Sequence, residues 1–219
     1  AGDNTVMTAE QMKAVADAVK ALAAPATVDF SEVVYESETF PNSFKSNANL
    51  AGIVFPQNVT ATASAAFQKT GMTSVTVLKD ISYGSNAFDS CASLVSVTVE
   101  EGVTEIGNYM FQNTKLTDVT LPNSVTKIGA SAFNGCSLTT INFGQGVKTI
   151  ENSAFQNCGE LTEIILPDAT ETLGQNAFGD CPKLAKISLG KNMKTLEAYC
   201  FVGYSKGCPL LGEILCRAT

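Results

Sequence analysis

Apolar residues in this chain return in short blocks at a fixed interval. The pattern Leu-x-x-Ile-x-Leu occurs eight times, and its central positions, Ile53, Val75, Val97, Val119, Ile141, Ile164, Ile187 and Ile214, mostly lie 22 or 23 residues apart. Each block runs on through a short turn to an apolar pair and a phenylalanine, as in Leu121-Pro-Asn-Ser-Val125-Thr-Lys-Ile128-Gly-Ala-Ser-Ala-Phe133-Asn-Gly-Cys136. The aromatic recurs as Phe44, Phe67, Phe88, Phe111, Phe133, Phe155, Phe178 and Phe201. A unit this small cannot bury its own apolar face, so a repeat of this period predicts a solenoid whose stacked neighbours share one core. Alternation over Leu116 to Leu121 predicts a strand with Val119 and Leu121 inward and Asp118 and Thr120 outward. Pro56, Pro122 and Pro167, or Gly144 and Gly190, then close the strand at a corner. The Val-x-x-Ile segment that follows (Val103 to Ile106, Val125 to Ile128, Val147 to Ile150) predicts a second short strand, and Gly-x-x-Ala-Phe a tight helical or 3₁₀ turn.

This spacing is that of leucine-rich repeats. The expected fold is a β-rich α/β architecture: a right-handed leucine-rich-repeat solenoid of about eight coils of 22–23 residues over residues 43–219, with an N-terminal cap over residues 1–42. In the cap, Thr8-Ala-Glu-Gln11 reads as a capping box ahead of a helix to about Ala24, with Met12, Val15, Ala16, Val19 and Leu22 on one face. Thr27 to Phe40 then reads as an edge strand leading into the first coil.

Applied across the repeats, strand alternation gives two outward columns that form the expected ligand face. One column is Thr76, Thr98, Thr120, Asn142, Ile165 and Ser188; its neighbour is Ser74, Ser96, Asp118, Thr140, Glu163 and Lys186. Neither contains the large aromatic or Arg anchors that dominate binding hot spots. The surface they predict is smooth and weakly polar. Outside the repeat rhythm, the last full unit carries extra residues within Val202 to Gly207, which makes Tyr204 and Lys206 candidates for a loop contact. Thr62, before Phe67, and a one-residue deletion between Phe67 and Phe88 blur the pattern there.

The seven cysteines follow the repeat rather than a metal-ligand spacing. Cys91, Cys136, Cys158 and Cys181 sit three residues after the repeat Phe, where Thr70 and Thr114 stand in other units, and Cys208 fits the same slot after the insertion. Cys200 replaces the small residue before Phe, and Cys216 the last apolar strand residue. All seven read as inward, free thiols behaving as small hydrophobes.

The chain has no histidine, which removes Ser-His and Cys-His nucleophilic pairs and His-containing zinc sites. No phosphate loop, nucleophile elbow or dinucleotide fingerprint occurs. We therefore expect no enzyme activity, no cofactor and no metal. A net charge of −7 with no basic stripe argues against nucleic acid and anionic membrane surfaces, and no apolar run reaches the length of a membrane span. The Asn58-Val-Thr60 sequon reads as a chance occurrence.

The run Leu-x-x-Ile-x-Leu-Pro-x-x-Val-x-x-Ile-Gly-x-x-Ala-Phe-x-x-Cys, complete from Leu116 to Cys136 and continuing through Cys181, resembles the BspA-like, or Treponema pallidum-type, leucine-rich repeats. The resemblance covers about four-fifths of the chain. It implies a secreted or surface-displayed bacterial protein without catalytic residues, in a family that includes adhesins for host proteins or other microbes. The expected function is thus a non-catalytic protein- or glycan-binding module at an extracellular or cell-surface location, its signal segment removed; a structural spacer is the alternative. The expected partner is a host or microbial surface protein or glycan. The repeat pattern breaks off mid-unit within Ile214 to Thr219, so we expect either that the natural C-terminal part is missing or that a partner covers the last coil; an uncovered last coil would support end-to-end self-association.

Overall fold

The computed structural model describes residues 6–202 and 207–216; Tyr204 and Lys206, the expected loop contact, lie outside the described residues. In chain order the elements are β1 (Val6–Met7), α1 (Ala9–Lys20), β2 (Ala26–Asp29), β3 (Val34–Tyr35), β4 (Thr39–Phe40), β5 (Leu50–Val54), β6 (Ala61–Thr62), β7 (Ser74–Val77), β8 (Ser96–Val99), β9 (Glu105–Ile106), β10 (Asp118–Thr120), β11 (Lys127–Ile128), β12 (Thr140–Asn142), β13 (Thr149–Ile150), β14 (Glu163–Ile165), β15 (Thr172–Leu173), β16 (Lys186–Leu189), β17 (Thr195–Leu196) and β18 (Glu213–Cys216). They wind into a β-solenoid of about eight turns.

Each regular coil supplies a longer strand to a main face and a two-residue strand to a second face. Successive coils stack parallel and in repeat register, so that Val119 lies opposite Ile141 on the main face and Ile128 opposite Ile150 on the second. The second face forms one continuous five-stranded sheet from β9 to β17. Of each Val-x-x-Ile segment only the last two residues pair. The Ile points into the core, and the residue before it faces water, where Lys127 sits between Glu105 (3.2 Å) and Glu151 (3.0 Å) of the flanking coils. Exposed pairs of this kind add little stability singly.

The segment before and after each Phe is neither α-helix nor 3₁₀-helix. It is a run of tight turns in which residues such as Ser131 (φ 53°) and Gly135 (φ 72°) adopt left-handed backbone. The reason lies in where the N–H groups must go. A helix would spend them within its own segment, whereas here Ser131, Phe133 and Gly135 donate to the carbonyls of Asn152 (3.0 Å), Ala154 (2.8 Å) and Gln156 (2.9 Å) in the next coil. Left-handed residues four apart, such as Ser131 and Gly135, bracket a bend in which every second N–H points along the solenoid axis. Asn, Asp and Gly, which tolerate φ > 0 best, hold several of these positions, as Asn113, Asn157, Asp180 and Gly135 do, and Ser holds others. Amide side chains on the same bend link neighbouring coils in a row, Asn134 to Gln156 (3.4 Å) and Gln156 to Asp180 (3.1 Å).

The repeat phenylalanines from Phe67 to Phe201 form a continuous stack through the core, which Phe40 extends to Phe44. Ring centroids are 5.2 Å apart for Phe133 and Phe155 and 5.1 Å for Phe155 and Phe178, with interplanar angles of 7° and 4°. Beside this column, Cys91, Cys136, Cys158, Cys181 and Cys208 each donate Sγ–H to the carbonyl of the Phe one coil back, at 3.0–3.3 Å. Thr70 and Thr114 in the same slot bond the Phe carbonyl of their own coil instead. Five thiols are buried and Cys208 is half-buried; Cys216 keeps the inward register, opposite buried Leu189, but is exposed on the last described strand.

Burial pushes the Cys136 thiol up to about 11 and the Cys181 thiol up to about 12, from an ordinary 9.0. In the unfolded chain these thiols ionise first, so the folded state binds more protons above about pH 9 and loses stability as pH rises. We predict that the native protein at pH 8 labels with a thiol reagent at Cys216 and not at Cys136, Cys158 or Cys181, and that denaturation without reductant exposes seven reactive thiols. A count of five or fewer contradicts this arrangement.

At the N-terminal end α1 opens with the expected capping box, Thr8 accepting from the Gln11 N–H and Gln11 from the Thr8 N–H. Met12, Ala16 and Val19 are buried against the first coil. The helix ends at Lys20, short of Ala24, because Asn49 takes the Lys20 and Leu22 carbonyls (3.0 and 2.9 Å) and the chain turns to let β2 pair with β5; Leu22 is left 45% exposed. Buried Asn47 fastens the helix by donating to the Ala16 carbonyl at 2.9 Å. The segment read as one edge strand is three short strands, of which β2 joins the main face and β4 pairs with β6 on the second. Asn58 of the sequon is structural: it accepts from the Tyr35 N–H (2.9 Å) and donates to the Tyr35 carbonyl (2.7 Å).

Candidate ligand-binding face

The expected ligand face is the main sheet, and its outward columns are placed by strand pairing: Ser74 opposite Ser96, Thr76 opposite Thr98, Asp118 opposite Thr140, Thr120 opposite Asn142. All eight are exposed, as are Glu163 and Ile165. Two positions depart from the expectation. Ser188 is buried, because it is short and stands between Ile165 and Leu215 of the adjoining strands. Lys186 is half-buried and held by Glu163 (3.4 Å) and Glu213 (3.9 Å), so that two of the charges expected to meet a ligand meet each other.

The face is not uniform: its strands pair as β2–β5, β7–β8, β10–β12 and β14–β16–β18, and the widest of the separations between these ladders lies beside one irregular unit. Phe67 and Phe88 are 21 residues apart. Aligned on its neighbours, the unit has Ile81-Ser-Tyr83-Gly84 where Val103-Thr-Glu-Ile106-Gly107 stands in the next, so one residue of the second strand is missing and Tyr occupies the Ile slot. In place of a two-residue strand, this coil makes a single bridge, Ser82 to Ala61, and the second sheet breaks between Ser82 and β9. A polar cleft of about 490 Å³ opens there, lined among others by Lys79, Asp80, Ser82, Glu105 and Asn108.

Tyr83 carries the disturbance to the main face. Its ring packs against Phe88 (5.7 Å) and Phe55 (6.4 Å), and its hydroxyl donates to the Thr76 carbonyl (3.4 Å) and accepts from the Leu78 N–H (3.3 Å). Burial pushes the phenol up to about 12, so it stays a protonated donor at neutral pH. No backbone hydrogen bond joins β5 to β7. Most of their Cα pairs are more than 8 Å apart, against about 4.8 Å between paired strands. The result is a groove of about 380 Å³ across the main face. Phe55, Met72, Tyr83 and Phe88 are its apolar lining, and Thr27, Ser74, Thr76, Ser96 and Thr98 supply hydroxyls; no charged side chain lines it.

The structure thus brings Ser74, Thr76, Ser96 and Thr98 together at one groove. Asp118, Thr120, Thr140, Glu163, Lys186 and Ser188 lie along the face away from it, and Asn142 and Ile165 border a smaller hollow of about 310 Å³ between β12 and β14. Phe55, Met72, Tyr83 and Thr27 were not expected at a site. The signal that points to them is the 21-residue spacing together with Tyr83 in an aliphatic slot. Among the described residues no group of acidic, Cys or His side chains is placed to hold a metal.

The sequence matches the family model of the BspA type leucine rich repeat region in six copies, over residues 27–83 and 81–207. No curated protein matches the chain significantly. Among solved structures, the chain is similar to a leucine rich cell surface protein from Faecalibacterium prausnitzii A2-165, at 22% identity over 88% of this chain and 60% of that one, with a TM-score of 0.59. It is also similar to a leucine-rich repeat protein from Eubacterium ventriosum ATCC 27560, at 20% identity over 86% of this chain and 64% of that one, with a TM-score of 0.56. At these identities the likeness shows the fold, and this chain spans about 60% of the length of the Faecalibacterium protein. No helix among the described residues is long and apolar enough to cross a membrane. With six repeat copies matched over most of its length, the chain belongs to the BspA-type leucine-rich repeat family.

Proposed function

We propose that this chain is a non-catalytic protein-binding module of an extracellular or cell-surface bacterial protein, acting in adhesion through its main sheet face. The observation that supports this reading is the groove between β5 and β7, where expected face residues Ser74, Thr76, Ser96 and Thr98 surround an uncharged, apolar hollow. A peptide or protein ligand suits it better than a glycan. Sugar rings are commonly held on exposed aromatic faces, and the most exposed tyrosines among the described residues, Tyr109 and Tyr199, lie on the bend rather than on this face. The family, generally one of repeat proteins without catalysis, and its surface-displayed relatives support the same reading. The spacer alternative needs no binding face at all.

An array of host extracellular-matrix proteins, mucins and glycans, probed with the monodisperse protein beside a repeat protein of similar charge, decides between them. We expect saturable, selective binding to a protein, weakened at least about tenfold by Thr98→Arg at the groove rim, which corresponds to about 1.4 kcal/mol. Uniform silence supports the spacer, and selective binding to glycans alone overturns the protein-ligand reading.

A further inference from the structure

The groove between β5 and β7 has unfilled backbone lips. Thr73 and Val77 direct their carbonyls to Val95, Ser96 and Glu100 on the β8 side, so by strand alternation Ser74 and Thr76 direct their backbone groups towards β5. On the other lip, the Val54 carbonyl serves Phe30 on the β2 side, which leaves Ile53 facing β7, just past a bulge at Ala51. The Tyr83 hydroxyl satisfies Thr76 O and Leu78 N at one end, where a neighbouring strand would otherwise bond, and so closes the slot there. Between that plug and the Gly71 to Asn47 bond (3.2 Å), which joins the two coils just before these strands, two opposed edges stand apart.

We infer that this slot receives an extended peptide segment as an added strand, with one large uncharged apolar side chain seated over Phe55, Met72, Tyr83 and Phe88. Three features select that occupant. Two strand edges with free donors and acceptors match another extended backbone, and strand addition is a recurrent mode of peptide recognition. The separation of the lips is greater than one strand spacing. The lining, uncharged in a chain of net charge −7, disfavours an ionic anchor and accepts an aliphatic or aromatic one. The inference rests on the protein-binding reading above and narrows it to a segment class.

The test uses the whole chain and capped heptapeptides Ser-Thr-Val-X-Val-Thr-Ser, with X as Phe, Leu, Ala or Glu, in fluorescence anisotropy. Phe and Leu peptides should bind saturably and at least about tenfold more tightly than Ala, with Glu weakest. Methylating alternate backbone nitrogens of the Phe peptide should abolish binding. Ser74→Arg, at an exposed lip position, should reduce it at least about tenfold, while Thr126→Arg, an exposed position beside the second sheet, should leave it unaltered. Equal affinity for the Phe and Ala peptides, full binding of the methylated peptide, or indifference to Ser74→Arg each overturns the inference. A protein ligand from the array that binds while all four peptides fail also overturns it and leaves the broader reading standing; failure of both rejects both.

Discussion

Replacing Phe155 by alanine is expected to destabilise the solenoid by about 3–5 kcal/mol, the range for removing a fully buried Phe. Phe155 stacks on Phe133 and Phe178 and takes the edge of Phe143 at 5.6 Å, so the change removes three ring contacts and leaves a cavity in the middle of the column. The column cannot collapse to fill that space, because coil spacing is fixed on both sides by strand pairing and by the Phe155 N–H bond to Ala177. In a one-dimensional array each coil is stabilised by its neighbours, so the loss should also uncouple the two halves and broaden or split the urea transition followed by circular dichroism. Phe201→Ala is the internal comparison. Phe201 is only partly buried, and its centroid is 6.3 Å from that of Phe178, so the cost should be less than half as large. A loss under about 1 kcal/mol for Phe155→Ala would mean that the aromatic column does not hold the coils together.

The parts of the fold legible in the sequence are those where every coil repeats the same physical demand. Val119 and Leu121 had to be inward because alternation and the shared core leave no other arrangement, and both are buried. The cysteine slot was legible as a small apolar position, but its Sγ–H bond to the preceding coil was not, since that depends on the axial distance between coils. The bend was misread for the same reason. Gly-x-x-Ala-Phe has the composition of a short helix, and only the need to send N–H groups to the next coil turns it into a run of tight turns with left-handed residues four apart. Ser188 failed as a face residue because alternation states direction and not the size of the neighbours, Ile165 and Leu215. The groove was legible only as a blemish: a deletion of one residue is small in sequence, yet in a parallel stack it removes a strand position and puts Tyr83 where Ile belongs.

Restoring the missing residue should therefore close the groove. Inserting one Thr between Ser82 and Tyr83, together with Tyr83→Ile, gives the unit the Ile-x-x-Ile-Gly spacing of its neighbours. The second sheet can then run through this coil, and the main face loses the ring that props it open. Each recovered backbone hydrogen bond adds about 1 kcal/mol, so two or three would raise the stability of the N-terminal coils by a few kcal/mol. The repaired chain should also lose affinity for any ligand that enters between β5 and β7.

Amide hydrogen exchange at Ser74 and Thr76, in the natural and the repaired chain, tests the central claim that one shortened coil opens the sheet. The account predicts rapid exchange at both amides in the natural protein, beside protected amides of the continuous second sheet such as Glu151 and Gly174, which donate to the Ile128 and Ile150 carbonyls, and slowing of about 100-fold or more after repair, since a gain near 2.8 kcal/mol in local opening free energy corresponds to that factor. Protection of Ser74 and Thr76 in the natural chain equal to that of the regular coils, or no slowing in a repaired chain that still folds, would contradict it.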